Sequence, residues 1–357
     1  MDDAVRKILD AAVRAPSGEN AQPWHFVVRG RGRDTEIEVR LSKDRERSLY
    51  SWGDRASYVA LGAAIENIHI FAPSVGFSSH IHSLPVHQDL ELVARIRLTM
   101  TNGQKDPLSD HIFDRVTNRK PYSNSNLTQQ QRISLQDEAR RSGGDLRFAD
   151  SKEDRSHLAA VGSTNEMLML ANPIMHEFFF SHVNWTKEED MRKMVGFYID
   201  TLELPPPAKV GFRVMSSWSR AKFLNMLGFN KIAASQNAAI YEQCGAFGAI
   251  VSKSESPLSA IEAGRTLQRI WLEATRLGLS VQPMAGVLFL ALAVKAGETK
   301  HFTKDQISRI QECDATVRDT FRLNDSLTYF MFRIGLGPAP SAHSIRRPVD
   351  SVVTEIT

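Results

Sequence analysis

The segment APSGENAQPW (Ala15 to Trp24) gathers residue types suited to holding a polar heterocycle. A Pro-Ser-Gly turn exposes backbone groups and a short hydroxyl, while Asn20 offers both a donor and an acceptor. Further along, FDRVTNRKPYS sets Arg115, Thr117 and Arg119 at alternate positions. Two guanidiniums and a hydroxyl suit a phosphate dianion, because Arg forms bidentate, charge-assisted hydrogen bonds. The same spacing taken alone also suits a solvated basic helix end. Arg346 and Arg347 form another basic pair in a polar tail. HIHSLPVH would put His80 and His82 on one face of a strand, with His87 nearby. No carboxylate or cysteine is positioned to close a metal site there, so a surface strand is the reading and no metal is expected. Cys244, in YEQCGAFGA, reads as a buried thiol rather than a nucleophile.

These residues must be carried by regular elements. Val5, Ile8, Leu9, Ala12 and Val13 recur at helical spacing, and Pro16 and Gly18 stop that helix just before the polar turn. Trp24 to Val28 and Ile37 to Leu41 read as a hairpin of two strands. Leu61, Ala64, Ile65, Ile68 and Ala72 predict a second helix from Tyr58 to near Gly76, followed by strands near Phe77 to Leu84 and Leu92 to Thr99. The polar run from Thr101 to Asp110 is a connection. Beyond it, Thr128 caps a helix that Gly143 and Gly144 stop. Residues 172–241 break the helix-strand alternation with a PPP run, three glycines and exposed-looking Trp185 and Trp218, and read as an insertion. Helices over Ser259 to Gly278 and Thr303 to Leu323 follow, then a strand over Ser326 to Leu336.

The chain of 357 residues is long enough for one large domain or two ordinary ones, with the composition of a soluble globular protein. A net charge of +3, dispersed along the sequence, argues against nucleic acid but leaves room for a small anionic ligand. Two isolated cysteines cannot build a disulfide framework and fit a reducing cytoplasm. The N-terminal stretch alternates charged with apolar residues, so no export signal, spanning helix or membrane partner is expected.

APSGENAQPWHF resembles the signature of the nitroreductase family, an APS-x-x-N-x-QPW-like element after the first core helix. In that family the element reaches the flavin of the partner subunit. The resemblance implicates Pro16, Ser17, Gly18 and Asn20, with Gln22, Pro23 and Trp24 holding the turn in place. FDRVTNRKPYS is similar to the family's Arg-x-Ser-x-Arg phosphate motif with Thr for Ser, which implies that Arg115, Thr117 and Arg119 grip FMN. GRTLQRIWLEATRLGLSVQPMAGV resembles the family helix that precedes a loop under the isoalloxazine. That assigns Pro283, Met284, Ala285 and Gly286 to the loop, with the Ala285 and Gly286 amides toward N5 and O4. SIRRPVDSVV resembles the closing basic-x-Arg-x-Pro element, so Arg346 and Arg347 would complete the phosphate site. Two positions depart from the pattern: many active relatives are acidic at Ala285 and basic at Ser344.

Ordinary family members are homodimers that build each flavin site from two subunits. Here both contributions lie in one chain, which looks like the two-lobed, Acg-type subgroup. The resemblance implies an α+β nitroreductase fold with two similar lobes, 1–105 and 106–357, each a mainly antiparallel sheet packed with helices. Residues 172–241 would form a lid, with Phe178, Phe179, Phe180 and Trp185 available to cover the ring. One FMN per chain follows, in a monomer imitating a dimer or a homodimer of such chains. The implied activity is NAD(P)H-dependent reduction of a small-molecule acceptor such as a nitroaromatic or quinone, with no catalytic side chain beyond the flavin itself. The alternative is a protein that stores or sequesters FMN under the lid.

Overall fold

The computed structural model describes residues 1–30, 32–45 and 49–356. Asp2 accepts a hydrogen bond from the Ala4 amide and opens α1 (Asp3–Ala12), whose Val5, Ile8, Leu9 and Ala12 are buried as their spacing requires. β1 (Trp24–Arg29) and β2 (Thr35–Leu41) form the hairpin, with Phe26 opposite Val39. α2 (Arg55–Phe71) starts one turn earlier than its apolar pattern and leads through a short 3-10 turn to Gly76, whose φ of +84° ends it. β3 (Phe77–Ser83) and β4 (Leu92–Met100) extend the antiparallel sheet. His80 and His82 face outward on β3 opposite Arg97 and Arg95, neighbours that repel a metal cation.

Thr128 and Gln131 form a reciprocal capping box that starts α3 (Gln129–Arg141). β5 (Asp145–Ala149) and α4 (Lys152–Ala171) follow. The next stretch is mainly helical: α5 (Pro173–Ser181), β6 (Val183–Asn184), α6 (Lys187–Lys193), β7 (Phe197–Tyr198), α7 (Pro206–Met215), α8 (Trp218–Met226) and α9 (Phe229–Glu242). It has an apolar cluster of its own around Phe180, Val183 and Met215. Trp185 and Trp218, expected to be exposed, pack against that cluster, because Trp185 stacks on Phe180 and Trp218 meets His176 edge-on. The chain continues through β8 (Ala246–Ser252), α10 (Pro257–Arg276), β9 (Ser280–Pro283), α11 (Gly286–Lys295), α12 (Lys304–Thr320) and β10 (Leu327–Gly335).

The class is α+β. One sheet has the order β5-β8-β10-β9 and is antiparallel throughout. The other runs β11-β1-β2-β4-β3, where β11 (Val353–Ile356) comes from the end of the chain and pairs in parallel with β1. The tail is therefore sewn into the sheet built from the N-terminal strands rather than into the β5-β8-β10-β9 sheet.

α2 and α10 join the two sheets' helices at a close crossing. A Cβ on Gly62 would lie 2.0 Å from the Ile261 carbonyl oxygen, and one on Gly264 would lie 2.0 Å from that of Val59. Only glycine at both positions permits this approach. Beside the crossing, Arg269 meets Glu138 at 2.8 Å and both Glu66 and Asp106 at 3.0 Å, while Gln268 donates to Asn67 at 2.6 Å. Each buried charge there has an opposite partner, as desolvation demands.

Candidate functional site

A cavity of about 740 Å³ lies where the Ala15–Trp24 segment, α2, the 112–119 loop, α4, the 172–241 helices, the β9–α11 turn and the tail converge. That volume falls within the range of small-molecule and cofactor sites. Pro16, Ser17, Gly18 and Asn20 line it, as do Arg115, Thr117 and Arg119. Pro283, Ala285, Gly286 and Arg346 complete the set that folding brings together. Two expected residues lie off it. Met284 points into the core of the second sheet, with its Cε 2.1 Å from where a Cβ on Gly162 would stand, so the glycine in α4 makes room for it. Arg347 is absent from the wall, and its amide instead donates to Gln22 Oε1 at 2.8 Å.

The polar turn is shaped by non-glycine residues. Glu19, Asn20 and Gln22 have φ of 46°, 53° and 54°, whereas Gly18 is not left-handed. Such strain persists only where neighbours over-determine it. Here Ser17 Oγ accepts from the Gln22 amide at 3.1 Å, and buried Gln22 donates to the Asn20 carbonyl at 3.2 Å and to the Met194 carbonyl at 2.7 Å. Gln22 thus ties the turn, the helical insertion and the tail together. Asn20 donates to the Ile345 carbonyl at 2.9 Å and accepts from Arg346 Nη1 at 2.8 Å. Its amide orients the arginine at the opposite end of the chain.

At Arg115 and Arg346 the basic wall lacks a counter-charge. Arg115 donates to the Arg14 carbonyl at 2.9 Å and lies 4.5 Å over the Trp271 ring, yet its buried Nε has no partner. Burial, with the Arg346 charge nearby, pulls its guanidinium down to about 9. Burial and the Arg14 charge pull Arg346 down to about 10. No carboxylate contributes to either shift. Arg119 is also lowered by burial; it donates to the Thr201 carbonyl at 2.9 Å and lies over Phe197. Two guanidiniums, buried Arg115 and half-buried Arg346, without a facing carboxylate make an anion site, because a bound dianion would supply the missing charge.

Across the cavity the wall is neutral or acidic. Asn165 and Glu166 project from α4, with Tyr241 beside the Glu166 carboxyl, whose Oε2 is left without a partner. Burial pushes this carboxyl up to about 7. Asn165 Oδ1 is likewise unpartnered, and it lies 2.7 Å from where a Cβ on Gly286 would stand. Gly286 therefore lets the amide approach. Ala285 caps α11, so the first amides of that helix have no acceptor within it and end at the cavity.

The 172–241 segment closes over this wall. Besides the Gln22–Met194 and Arg119–Thr201 bonds, the Gly196 amide donates to the Glu19 carbonyl at 2.8 Å. Phe179, Phe197 and Phe212 reach the cavity, whereas Phe180 and Trp185 are spent on the segment's own cluster and Phe178 packs on Tyr50. Sequence reading missed Arg14, Asn165, Glu166 and Tyr241. Arg14 adjoins the recognised turn and could have been found; the others sit inside helices without distinctive spacing. Cys244 and Cys313 are buried, and burial pushes the Cys244 thiol up to about 12, so neither thiol is poised as a nucleophile.

No family model matches the chain. It is 25% identical over 351 residues to an uncharacterized protein of Mycobacterium tuberculosis strain CDC 1551 / Oshkosh, MT1398, covering 95% of this chain and 47% of that protein. It is also 25% identical over 125 residues to "Putative NAD(P)H nitroreductase acg" of Mycobacterium tuberculosis strain ATCC 25618 / H37Rv, covering 34% of this chain and 36% of that protein. The chain thus spans about half the length of the first relatives it matches. Among solved structures, a BluB-like flavoprotein from Clostridium difficile 630 matches at a TM-score of 0.38 and 12% identity, covering 71% of this chain and 100% of that chain. The nitroreductase NfnB of Mycobacterium smegmatis, solved with NADPH, matches at 0.35 and 11% identity, covering 69% and 91%. Both structural likenesses are partial. By its sequence, the chain is similar over about a third of its length to acg, a putative NAD(P)H nitroreductase.

Proposed function

We propose that the cavity binds FMN and that the chain is an NAD(P)H-dependent oxidoreductase of nitroreductase type acting on nitroaromatic or quinone-like acceptors. The observation that carries this reading is the pair of guanidiniums, buried Arg115 and half-buried Arg346, with no facing carboxylate. They suit the phosphate, with Thr117 beside them and Arg119 toward the ring. The unpartnered Asn165 Oδ1 and the first amides of α11 suit the polar edges of the heterocycle, and Ser17 and Gly18 border it opposite. Bound flavin would supply the hydride transfer between nicotinamide and acceptor. The chain's own part is to bind and orient: Arg119 and the Ala285 and Gly286 amides would favour negative charge on the ring, and the phenylalanines of the insertion would exclude water.

In this reading residues 1–105 and 106–357 are two lobes imitating a dimer, 172–241 is the lid, and the protein works in the cytoplasm. Storage of FMN is the second reading. It is favoured by the hydrogen bonds that fasten the insertion to the Glu19–Gln22 turn and to Arg119, since a lid tied on both sides restricts entry of a nicotinamide. Absorbance spectra of the purified protein, loaded with FMN and then treated anaerobically with NADPH, separate the cases. Bleaching that a nitroaromatic or quinone reverses supports the oxidoreductase, and persistent yellow supports storage. Failure to take up FMN rejects both.

A further inference from the structure

The insertion has two faces, and only the inner one is used by the cavity. Phe212 on α7 and Ala233 on α9 line the interior. The outer face is apolar and basic. Phe223, Met226 and Leu227 are 62%, 79% and 69% exposed, and their spacing puts them on one side of α8 and its end. On the other side of the same helix, Ala221 and Leu224 pack into the insertion's own cluster. Gly228, at φ +83°, turns the chain directly into α9, where exposed Ile232 follows. The three large apolar side chains therefore stand at a projecting corner.

Charge along this part of the chain is of one sign. Residues 204–241 contain five Lys and Arg and no Asp or Glu, whereas the chain as a whole is only +3, so the remainder is net −2. Arg220, Lys222 and Lys231 are exposed beside the apolar corner. The single ion pair of the segment, among the described residues, is Lys209 with Asp200. The cations flanking the corner are thus unpaired.

We propose that the α8–α9 corner docks on an anionic lipid surface, with Phe223, Met226 and Leu227 entering the headgroup boundary and Arg220, Lys222 and Lys231 meeting lipid phosphates. Exposed apolar side chains ringed by cations bind such interfaces through apolar burial and electrostatic attraction together. A second copy of the chain does not fit, because a two-fold contact would press like-charged patches on each other. Docking is peripheral: among the described residues no helix is long and apolar enough to cross a membrane. The sequence expectation of no membrane partner rested on the absence of a spanning segment and did not address this mode. The inference is independent of what fills the cavity.

The test is co-sedimentation of the whole chain with vesicles of phosphatidylcholine, with and without phosphatidylglycerol. We expect binding to the anionic vesicles only, weakening as salt rises. A Phe223→Ser/Met226→Ser/Leu227→Ser variant should partition at least about tenfold less, and Arg220→Glu/Lys222→Glu should bind less with the apolar corner intact. Matching unfolding curves for wild type and variants establish that the fold is kept. Equal sedimentation with and without phosphatidylglycerol, or wild-type binding by the triple variant, overturns the proposal. So does a wild-type dimer that the triple variant converts to monomer, which would make the corner a self-interface, or retention by an acidic polypeptide with no vesicle binding.

Discussion

At the scale of single residues, the cavity has a basic side without its anion and an acidic side with a proton to spare. Arg115 Nε has no partner, and the Arg346 charge adds to the strain of burial. Arg115→Ala should therefore weaken FMN binding by about 2 kcal/mol, roughly thirtyfold. Flavin-fluorescence titration reads this directly, and unchanged affinity rejects the phosphate assignment. The wild-type affinity should also weaken toward alkaline pH, because burial lowers the Arg115 guanidinium from its ordinary value and so makes its charge easier to lose. Glu166 behaves oppositely. Its carboxyl, at about 7, holds a proton more tightly in the folded chain than in the unfolded one. Stability from this group is full below the ordinary carboxyl range and is lost as pH rises toward 7, with a slope of at most about 1.4 kcal/mol per pH unit. Glu166→Gln should flatten that slope in urea unfolding measured from pH 5 to 8. A variant as pH-dependent as wild type would show that another group is responsible.

At the scale of elements, the α2–α10 crossing fixes the distance between the walls. Both helices contribute to the cavity, α2 through Val59 and Ala60 and α10 through Leu267 and Trp271. Ala at an ordinary helix position would gain about 1 kcal/mol over Gly. At Gly264 the added Cβ meets the Val59 carbonyl oxygen at 2.0 Å, with backbone on both sides, so the helices must separate. Gly264→Ala should accordingly cost about 2 kcal/mol or more. A lowered thermal midpoint checks this, and an unchanged or raised one would mean the crossing is softer than its geometry. The ion network beside it is less informative, because removing Arg269 would leave buried Glu66 and Glu138 with only Arg265 and Arg141 as partners, a cost that arises whatever the crossing does.

At the scale of the whole molecule, the two ends of the chain meet. The turn before β1 supplies Asn20 and Gln22, and the tail supplies Arg346, held against that turn while β11 pairs with β1. One chain therefore contains one complete basic wall. Titration with FMN should saturate at one flavin per chain, as read by absorbance after removing free ligand. Two per chain would require a second phosphate site, and one per two chains would require a wall shared between copies.

Much of this was legible in the linear sequence because it is local. Helix spacing in α1, the hairpin, the Thr128 capping box and the polar Ala15–Trp24 turn are each set by residues a few positions apart, where backbone sterics and short-range hydrogen bonds act. The order of the arginine motifs relative to that turn pointed to one cavity. Glu166 was not legible, because its proton affinity comes from burial at the cavity, and a mid-helix glutamate carries no mark of its future surroundings. Met284 and Arg347 went the other way, since neighbours in sequence can face opposite sides of a wall. The charge of the insertion reads as dispersed along the chain and becomes a one-sided patch only when α8 and α9 turn at Gly228. Sequence alone determined which local pieces form and which polar residues they carry; tertiary structure decided which of those residues lose water and which keep it, because desolvation depends on contacts between segments far apart in the chain.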